Sequence, residues 1–198
     1  MSVFAHTNVA ATTAAVTNRI VASANMKVGA YTIAHASAVW AGGSIITLTH
    51  TTVAGTDTLG TVTLVGVDLM GAPLTEVLTP VADSLVSSVG IFRSVTSATG
   101  AGWVANSTAD TIVIGVAAGA YVAAGGGLLE SIVVNTTSAA TVVISDAGGT
   151  IATLKASIAE GTYYYKTACS GYLKVATTST NDVTLIHTVG VPSVYAMS

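Results

Sequence analysis

Apolar and polar residues alternate along much of this chain with a period of two, which is the pattern of half-buried β-strands. The clearest alternation lies in residues 60–67 and 74–78, and Asp68 and Gly71 between them predict the turn of a β-hairpin. Further strands are predicted at residues 44–50, 90–96, 110–115, 129–135, 140–145, 150–154, 161–166, 171–176 and 182–187.

Interruptions of this pattern predict the domain organisation. Residues 1–28 show no clean period and predict an extended N-terminal arm, which neighbouring subunits would hold in place, or else an edge segment. Residues 119–127 are rich in Gly and Ala and predict a linker. The predicted fold class is therefore all-β. Two small antiparallel β-sandwich or jelly-roll-like modules, residues 29–118 and 128–198, follow the arm.

The low content of charged residues predicts that the protein associates with partners. Hydrophobic residues make up 51% of the chain but aromatic residues only 6%, so the apolar content is mostly Ala and Val. Only 8% of residues are charged, against about 25% in an ordinary soluble domain. A free monomer normally stays soluble through a mixed, charged surface. Much of this surface is therefore predicted to be buried against partners, in a homo-oligomer or a larger shell.

The same composition argues against two classes of partner. The six Lys and Arg residues are scattered, so no basic patch is available to bind nucleic acid. Residues 111–129 are uncharged and long enough to span a membrane, but their five glycines and the lack of basic flanks favour a strand followed by a linker. The first residues lack the basic and apolar regions of a signal peptide, and none is expected.

No catalytic, metal-binding or cofactor-binding residue is predicted, and the protein is not expected to be an enzyme. None of the four histidines has metal-ligand spacing, and a single cysteine, Cys169, is predicted to be a small buried hydrophobic residue. Glu76 lies among apolar neighbours on a predicted strand. Two interpretations are open: a buried carboxylate with a raised pKa, or an ion pair, with Arg93 as one candidate partner.

The candidate functional residues are therefore interface residues. Tyr163, Tyr164 and Tyr165 form the main aromatic cluster, and alternation places the first and third on one face and the second on the other. Tyrosine is enriched at protein interfaces, which favours a contact with another subunit or protein, and stacking on a glycan is the alternative. Phe4 and Arg19 in the predicted arm are further candidate contact residues.

Two segments carry a family resemblance. In residues 61–80 a strand ends in Gly-x-Asp, a glycine turns the hairpin and Leu-Thr-Glu opens the return strand; Phe-x-x-Val-Thr-Ser follows at 92–97. This pattern resembles one that recurs in small structural proteins of tailed bacteriophages. Residues 129–135, 171–175 and 182–185, with the turn at 146–149, resemble the C-terminal β modules of phage decoration proteins.

The resemblance implies a virion component without enzymatic activity. The leading expectation is a capsid decoration, or cement, protein that binds the assembled major capsid protein as a homo-oligomer, with a trimer as the specific prediction. It would be synthesised in the host cytoplasm and would lie on the outer capsid surface. A neck, tail or fibre-base protein of the virion and a carbohydrate-binding module for host recognition stay open as alternatives.

Overall fold

The computed structural model describes residues 4–10, 14–35, 42–53, 57–105 and 108–188, and within these ranges it contains strands and no helix. All strand pairings are antiparallel. The prediction of an all-β, sandwich-like fold is therefore confirmed. The strands are β1 (Phe4–Val9), β2 (Val16–Asn25), β3 (Ser44–Thr51), β4 (Thr61–Asp68), β5 (Pro73–Leu78), β6 (Leu85–Ala101), β7 (Thr111–Val116), β8 (Ala120–Ala124), β9 (Gly127–Thr136), β10 (Val142–Asp146), β11 (Gly149–Leu154), β12 (Gly161–Cys169), β13 (Tyr172–Ala176) and β14 (Asp182–Thr188).

Unit 1, the first of two compact units, is a β-sandwich formed by Met1–Ala14, Trp40–Gly42 and Ala118–Ser198. Sheet A has the strand order β1-β14-β9-β12, and sheet B the order β11-β10-β13-β8. Alternation turns one face of each sheet inward, and the two faces share one hydrophobic core. Fully buried residues from both sheets define this core: Leu129, Ile132 and Leu185 from sheet A, and Ile144, Leu154 and Val175 from sheet B.

Unit 2 comprises Ala15–Val39 and Gly43–Ala117 and contains a single six-stranded sheet C, of order β2-β7-β3-β6-β4-β5. The 17-residue strand β6 is shared between the two halves of this sheet. Its first part pairs with β3 up to Phe92, and its second part pairs with β4 from Phe92 onward. Phe92 is fully buried at this changeover.

The Glu76 side chain bonds to the first part of β6. Its carboxylate accepts hydrogen bonds from the amide of Val89 at 2.7 Å and from the amide of Gly90 at 2.9 Å. Both amides lie in the part of β6 that precedes its pairing with β4. Glu76 therefore satisfies backbone donors that lack a β4 partner, a role that neither interpretation from sequence included.

The predicted hairpin turns at Asp68 and Asp146 are present, and each is stabilised by its own aspartate. One Asp68 carboxylate oxygen accepts the amides of Met70 and Ala72 at 2.8 and 2.9 Å. One Asp146 carboxylate oxygen accepts the amides of Gly148 and Gly149 at 2.8 and 3.0 Å. An aspartate that bonds to the backbone within its own turn is a short-range signal, which is why both turns could be recognised from sequence.

The prediction of an N-terminal arm over residues 1–28 was wrong for the part that the structure describes. Strand β1 pairs with β14 at the edge of sheet A, and β2 pairs with β7 at the edge of sheet C. The inward-facing residues of β1 are Ala5, Thr7 and Val9. Because two of them are small or polar, the strand lacks the strong hydrophobic alternation that the prediction required.

The prediction of a linker over residues 119–127 was also wrong. Residues 120–124 form β8, which pairs with β13 inside sheet B, and Ala120 and Tyr121 are buried. Gly119 and Gly125 flank this strand with φ angles of +100° and +82°, a backbone conformation that favours glycine. The glycines therefore mark the two ends of a short buried strand.

Candidate interaction surface

The register pairs on the outer side of the β5-β4-β6 half of sheet C consist of uncharged side chains. The exposed Arg93 of β6 lies next to them, where the register shifts between Phe92 and Ser94. Alternation on β4 turns Val62 and Leu64 into the core and leaves Thr63 and Val65 outward. The backbone register places Val77 of β5 beside Thr63, and Thr99 of β6 on its other side. We call this surface the uncharged face; its residues are Pro73, Thr75 and Val77 on β5, Thr61, Thr63, Val65 and Val67 on β4, and Ser94, Ser97, Thr99 and Ala101 on β6.

The uncharged face is accessible in the isolated chain. Val77 retains 56% of its exposure, although it lies on β5 at the edge of the sheet. Natural proteins commonly place Lys or another charge on such edge strands to prevent pairing with other chains. In agreement with the low overall charge of the protein, the paired outward residues of these three strands are Thr, Ser, Val, Pro and Ala.

The tyrosine cluster is divided between the two faces of sheet A, as alternation predicts. Tyr163 and Tyr165 are half-buried and pack against the core of unit 1, and the hydroxyl of Tyr163 donates to the carbonyl of Ala159 at 2.8 Å. Tyr164 lies on the opposite face with 71% exposure. Tyr164 is therefore the tyrosine of this cluster most available for a contact.

Tyr164 lies in line, across sheet A, with one residue from each of the other three strands of that sheet. The register places it beside Ser131 of β9, which lies beside Ile186 of β14, which in turn lies beside His6 of β1. Phe4, the candidate at the start of β1, is 43% exposed. Arg19 lies half-buried on β2 in unit 2, so the predicted interface residues are not all in one unit.

A polar cluster joins β1 to its neighbours on sheet A. The amide nitrogen of the Asn8 side chain donates to the Asp182 carboxylate at 2.6 Å and to the Thr184 hydroxyl at 3.2 Å. From β9, the Asn135 side chain donates to the same two groups at 3.0 and 2.9 Å. Hydrogen bonds from Asn8 and Asn135 lower the pKa of Asp182. The charge of Asp182 is thus already engaged by its own sheet.

The most buried pair of ionisable side chains is His50 and Asp110 in unit 2. Their side chains are 1% and 3% exposed, and His50 Nε2 lies 3.1 Å from Asp110 Oδ2. His50 Nδ1 accepts the amide of Asp83 at 3.3 Å, so the ring proton is on Nε2 and is donated to Asp110. Asp110 Oδ1 accepts the amide of Val53 at 2.7 Å. Both ring nitrogens of His50 are thus engaged by protein partners, in a pair that is almost completely buried.

Cys169 is half-buried and packs against the core of unit 1. Burial raises the pKa of its thiol, which favours the unreactive protonated form. Within the described ranges, no three His, Cys, Asp or Glu side chains are grouped so that they could hold a metal ion. The same ranges contain no helix long and apolar enough to cross a membrane.

His187 is a buried histidine at the contact between β1 and β14. Its Nε2 atom lies 3.1 Å from the hydroxyl of Thr7, and its Nδ1 atom lies 3.4 Å from the carbonyl of Thr188. Burial lowers the pKa of His187, and the nearby His6 acts in the same direction. In the unfolded chain His187 returns to an ordinary pKa of about 6.5 and therefore binds protons more readily than in the folded state.

We expect the pairing of β1 with β14 to weaken as the pH falls through about 6.5 and below, because the unfolded state gains protons there that the folded state resists. Hydrogen exchange of β1 and β14 amides at pH 7.5 and 5.5, corrected for intrinsic exchange rates, should show this loss of protection. The loss should be smaller in His187→Gln. The exposed His35→Gln is the matched control, and an equal loss in both variants would contradict the assignment.

The fold and these surfaces define a class: an all-β protein of two antiparallel units, with accessible strand faces that are poor in charge. Compared with protein-family models, with curated proteins and with solved structures, the chain gives no match.

The uncharged face was not recognised from the sequence, although its signal was present. The outward positions of the predicted strands at 60–67 and 74–78 are all occupied by uncharged residues. The pairing of His50 with Asp110 and that of Asn8 with Asp182 had no comparable signal, because 60 and 174 residues separate the partners.

Proposed function

We propose that this protein is a non-enzymatic structural component of a bacteriophage virion, acting as a capsid decoration protein. It binds the assembled lattice of the major capsid protein from outside, as a homo-oligomer for which we propose a trimer, and stabilises the head. The resemblance of residues 61–80 to phage structural proteins supports this proposal. The observation that carries it is the uncharged face, an accessible β-surface suited to burial against another protein.

The mechanism is mass action. A protein that binds only the assembled shell lowers the free energy of that shell and leaves its dissociated subunits unaffected. Three copies joined in a trimer would bind together, so that individually weak contacts add to a strong attachment. Because the paired residues of the uncharged face carry no charge and Arg93 is the charged residue beside them, the affinity should change little with salt concentration.

We expect a single lysine placed on the uncharged face to weaken capsid binding about tenfold or more, because an unpaired charge would be buried in the contact. Val77→Lys and Thr99→Lys are suitable, since both side chains are exposed and their substitution should leave the fold intact. The readouts are the dissociation constant for capsids that lack the protein, and the melting temperature of those capsids with and without it.

The matched control is Thr153→Lys, which places the same charge on an exposed residue of β11 in unit 1. It should bind capsids as the unmodified protein does. Capsids that melt at the same temperature with and without saturating protein would refute the decoration function. Stable association with purified necks, tails or fibre bases instead of heads would support the alternative position in the virion.

A carbohydrate-binding module for host recognition is the second candidate, favoured by the exposure of Tyr164. An aromatic ring that stands free on a sheet can stack on the apolar face of a sugar. In that case Tyr164→Ala would abolish binding to host cell-surface glycans and leave capsid binding unchanged. For a decoration protein, the lysine substitutions on the uncharged face are the ones that matter.

A further inference from the structure

We propose that β1 is an exchangeable strand, which pairs with β14 of a second copy of this chain as well as with β14 of its own. The occupant of the site beside β14 is thus β1 of another copy. The proposal concerns association of the protein with itself and does not depend on capsid binding.

The position of β1 in the chain permits this exchange. It lies at the edge of sheet A, and β14 is the strand with which it pairs. The next strand, β2, belongs to unit 2, so residues 10–15 connect β1 covalently to the remainder of the protein. From Val9 to Val16 the backbone can extend over at most about 25 Å, which lets β1 reach a neighbouring copy that lies within that distance.

β1 is also lightly attached to its own core. Val9 is its one buried side chain, and the outward residues Phe4, His6 and Asn8 are exposed. Apolar burial is the main contribution that holds most strands in place. For β1 it is small, and the pairing depends largely on backbone hydrogen bonds and a few polar contacts.

These polar contacts favour a strand with the sequence of β1 in the site beside β14. Thr7 provides the hydroxyl beside Nε2 of the buried His187. Asn8 donates to Asp182 and Thr184. A strand without Thr and Asn at these two positions would leave His187 and Asp182 without these partners, whereas β1 of a second copy restores both contacts. The closed and exchanged forms therefore contain the same contacts beside β14, which is the condition for strand exchange between identical chains.

Disulfide trapping between two different single-cysteine proteins tests this proposal. Both carry Cys169→Ser; one carries His6→Cys and the other Ile186→Cys, because residues 6 and 186 lie directly opposite each other. After mixing and mild oxidation, exchange should join the two proteins in a disulfide. The yield of this disulfide should rise with protein concentration. It should be about ten times the yield from a control mixture, in which the second protein carries Thr162→Cys in place of Ile186→Cys. Thr162 lies on β12, at the opposite edge of the same sheet.

The single chain that carries both His6→Cys and Ile186→Cys shows whether this pair of positions can be cross-linked. It should form an internal disulfide at low concentration and increasing amounts of covalent dimer at high concentration. An internal disulfide at every concentration, with mixed products no more abundant than for the Thr162→Cys control, would overturn the proposal. Failure to form the internal disulfide would overturn it as well, since the β1–β14 pairing on which it rests would be missing.

Discussion

Replacing Gly66 with alanine is expected to destabilise unit 2 by about 3 kcal/mol, the upper end of the usual cost of overpacking. Gly66 lies on β4 where the register with β6 shifts. A Cβ atom at this position would overlap the carbonyl oxygen of Ser94 and would lie 3.1 Å from the Cα of Val95. Both atoms belong to the backbone of the neighbouring strand, so the strain cannot be relieved by rotating a side chain.

Urea denaturation followed by circular dichroism, combined with hydrogen exchange to locate the change, measures this effect. Amides of β4 and β6 should lose protection, while those of sheet B in unit 1 should keep it. Gly29→Ala is the matched control, because no heavy atom lies within 4 Å of the added carbon. Its stability should stay within about 0.5 kcal/mol of the unmodified protein. Equal stability of Gly66→Ala and Gly29→Ala would show that β4 and β6 are not this close.

Replacing His50 with alanine is expected to cost about 3 kcal/mol or more in the stability of unit 2, because it removes one of the two donors to the buried carboxylate of Asp110. It also removes the acceptor for the amide of Asp83 and leaves a cavity in place of the imidazole. Denaturation in urea measures the loss.

Asp110→Asn tests the hydrogen-bond assignment with almost no change of shape. The carboxylate of Asp110 receives two donors, His50 Nε2 and the amide of Val53. An asparagine has one acceptor oxygen and one donor nitrogen, so either orientation places a donor against a donor. We expect a loss of about 1–3 kcal/mol.

Glu130→Gln is the control for an ion pair outside the core. Glu130 lies 3.9 Å from Lys166, with side-chain exposures of 25% and 70%. An exposed pair of this kind contributes little, and the expected change is below about 0.5 kcal/mol. A loss for Asp110→Asn no greater than that for Glu130→Gln would contradict the assigned bonding of the buried pair.

How far the sequence predicts the fold is seen by comparing β4 with β1. In the first half of β4, the inward Val62 and Leu64 alternate with threonines, and the strand was predicted to within one residue at each end. On β1, the inward positions hold Ala5 and Thr7, and the same method predicted an arm. The difference is the size of the inward side chains, since a period of two is visible only where burial requires large apolar residues.

The sequence by itself determined the strand-rich class of this protein, the Asp68 and Asp146 turns, the division of Tyr163 and Tyr164 between two faces, and the shortage of charge. Each of these depends on neighbours within a few residues, or on composition alone.

Tertiary structure decided which strands pair. It thereby also decided the features that depend on contacts between residues far apart in the chain. It placed β1 beside β14, buried the strand 120–124 that composition presented as a linker, and brought the Glu76 carboxylate to the amides of β6. It also aligned the outward residues of β4, β5 and β6 into one uncharged face. The physical reason is that the free energy of strand pairing comes from contacts between residues far apart in the chain, and local alternation shows which face of a strand is buried without showing what covers it.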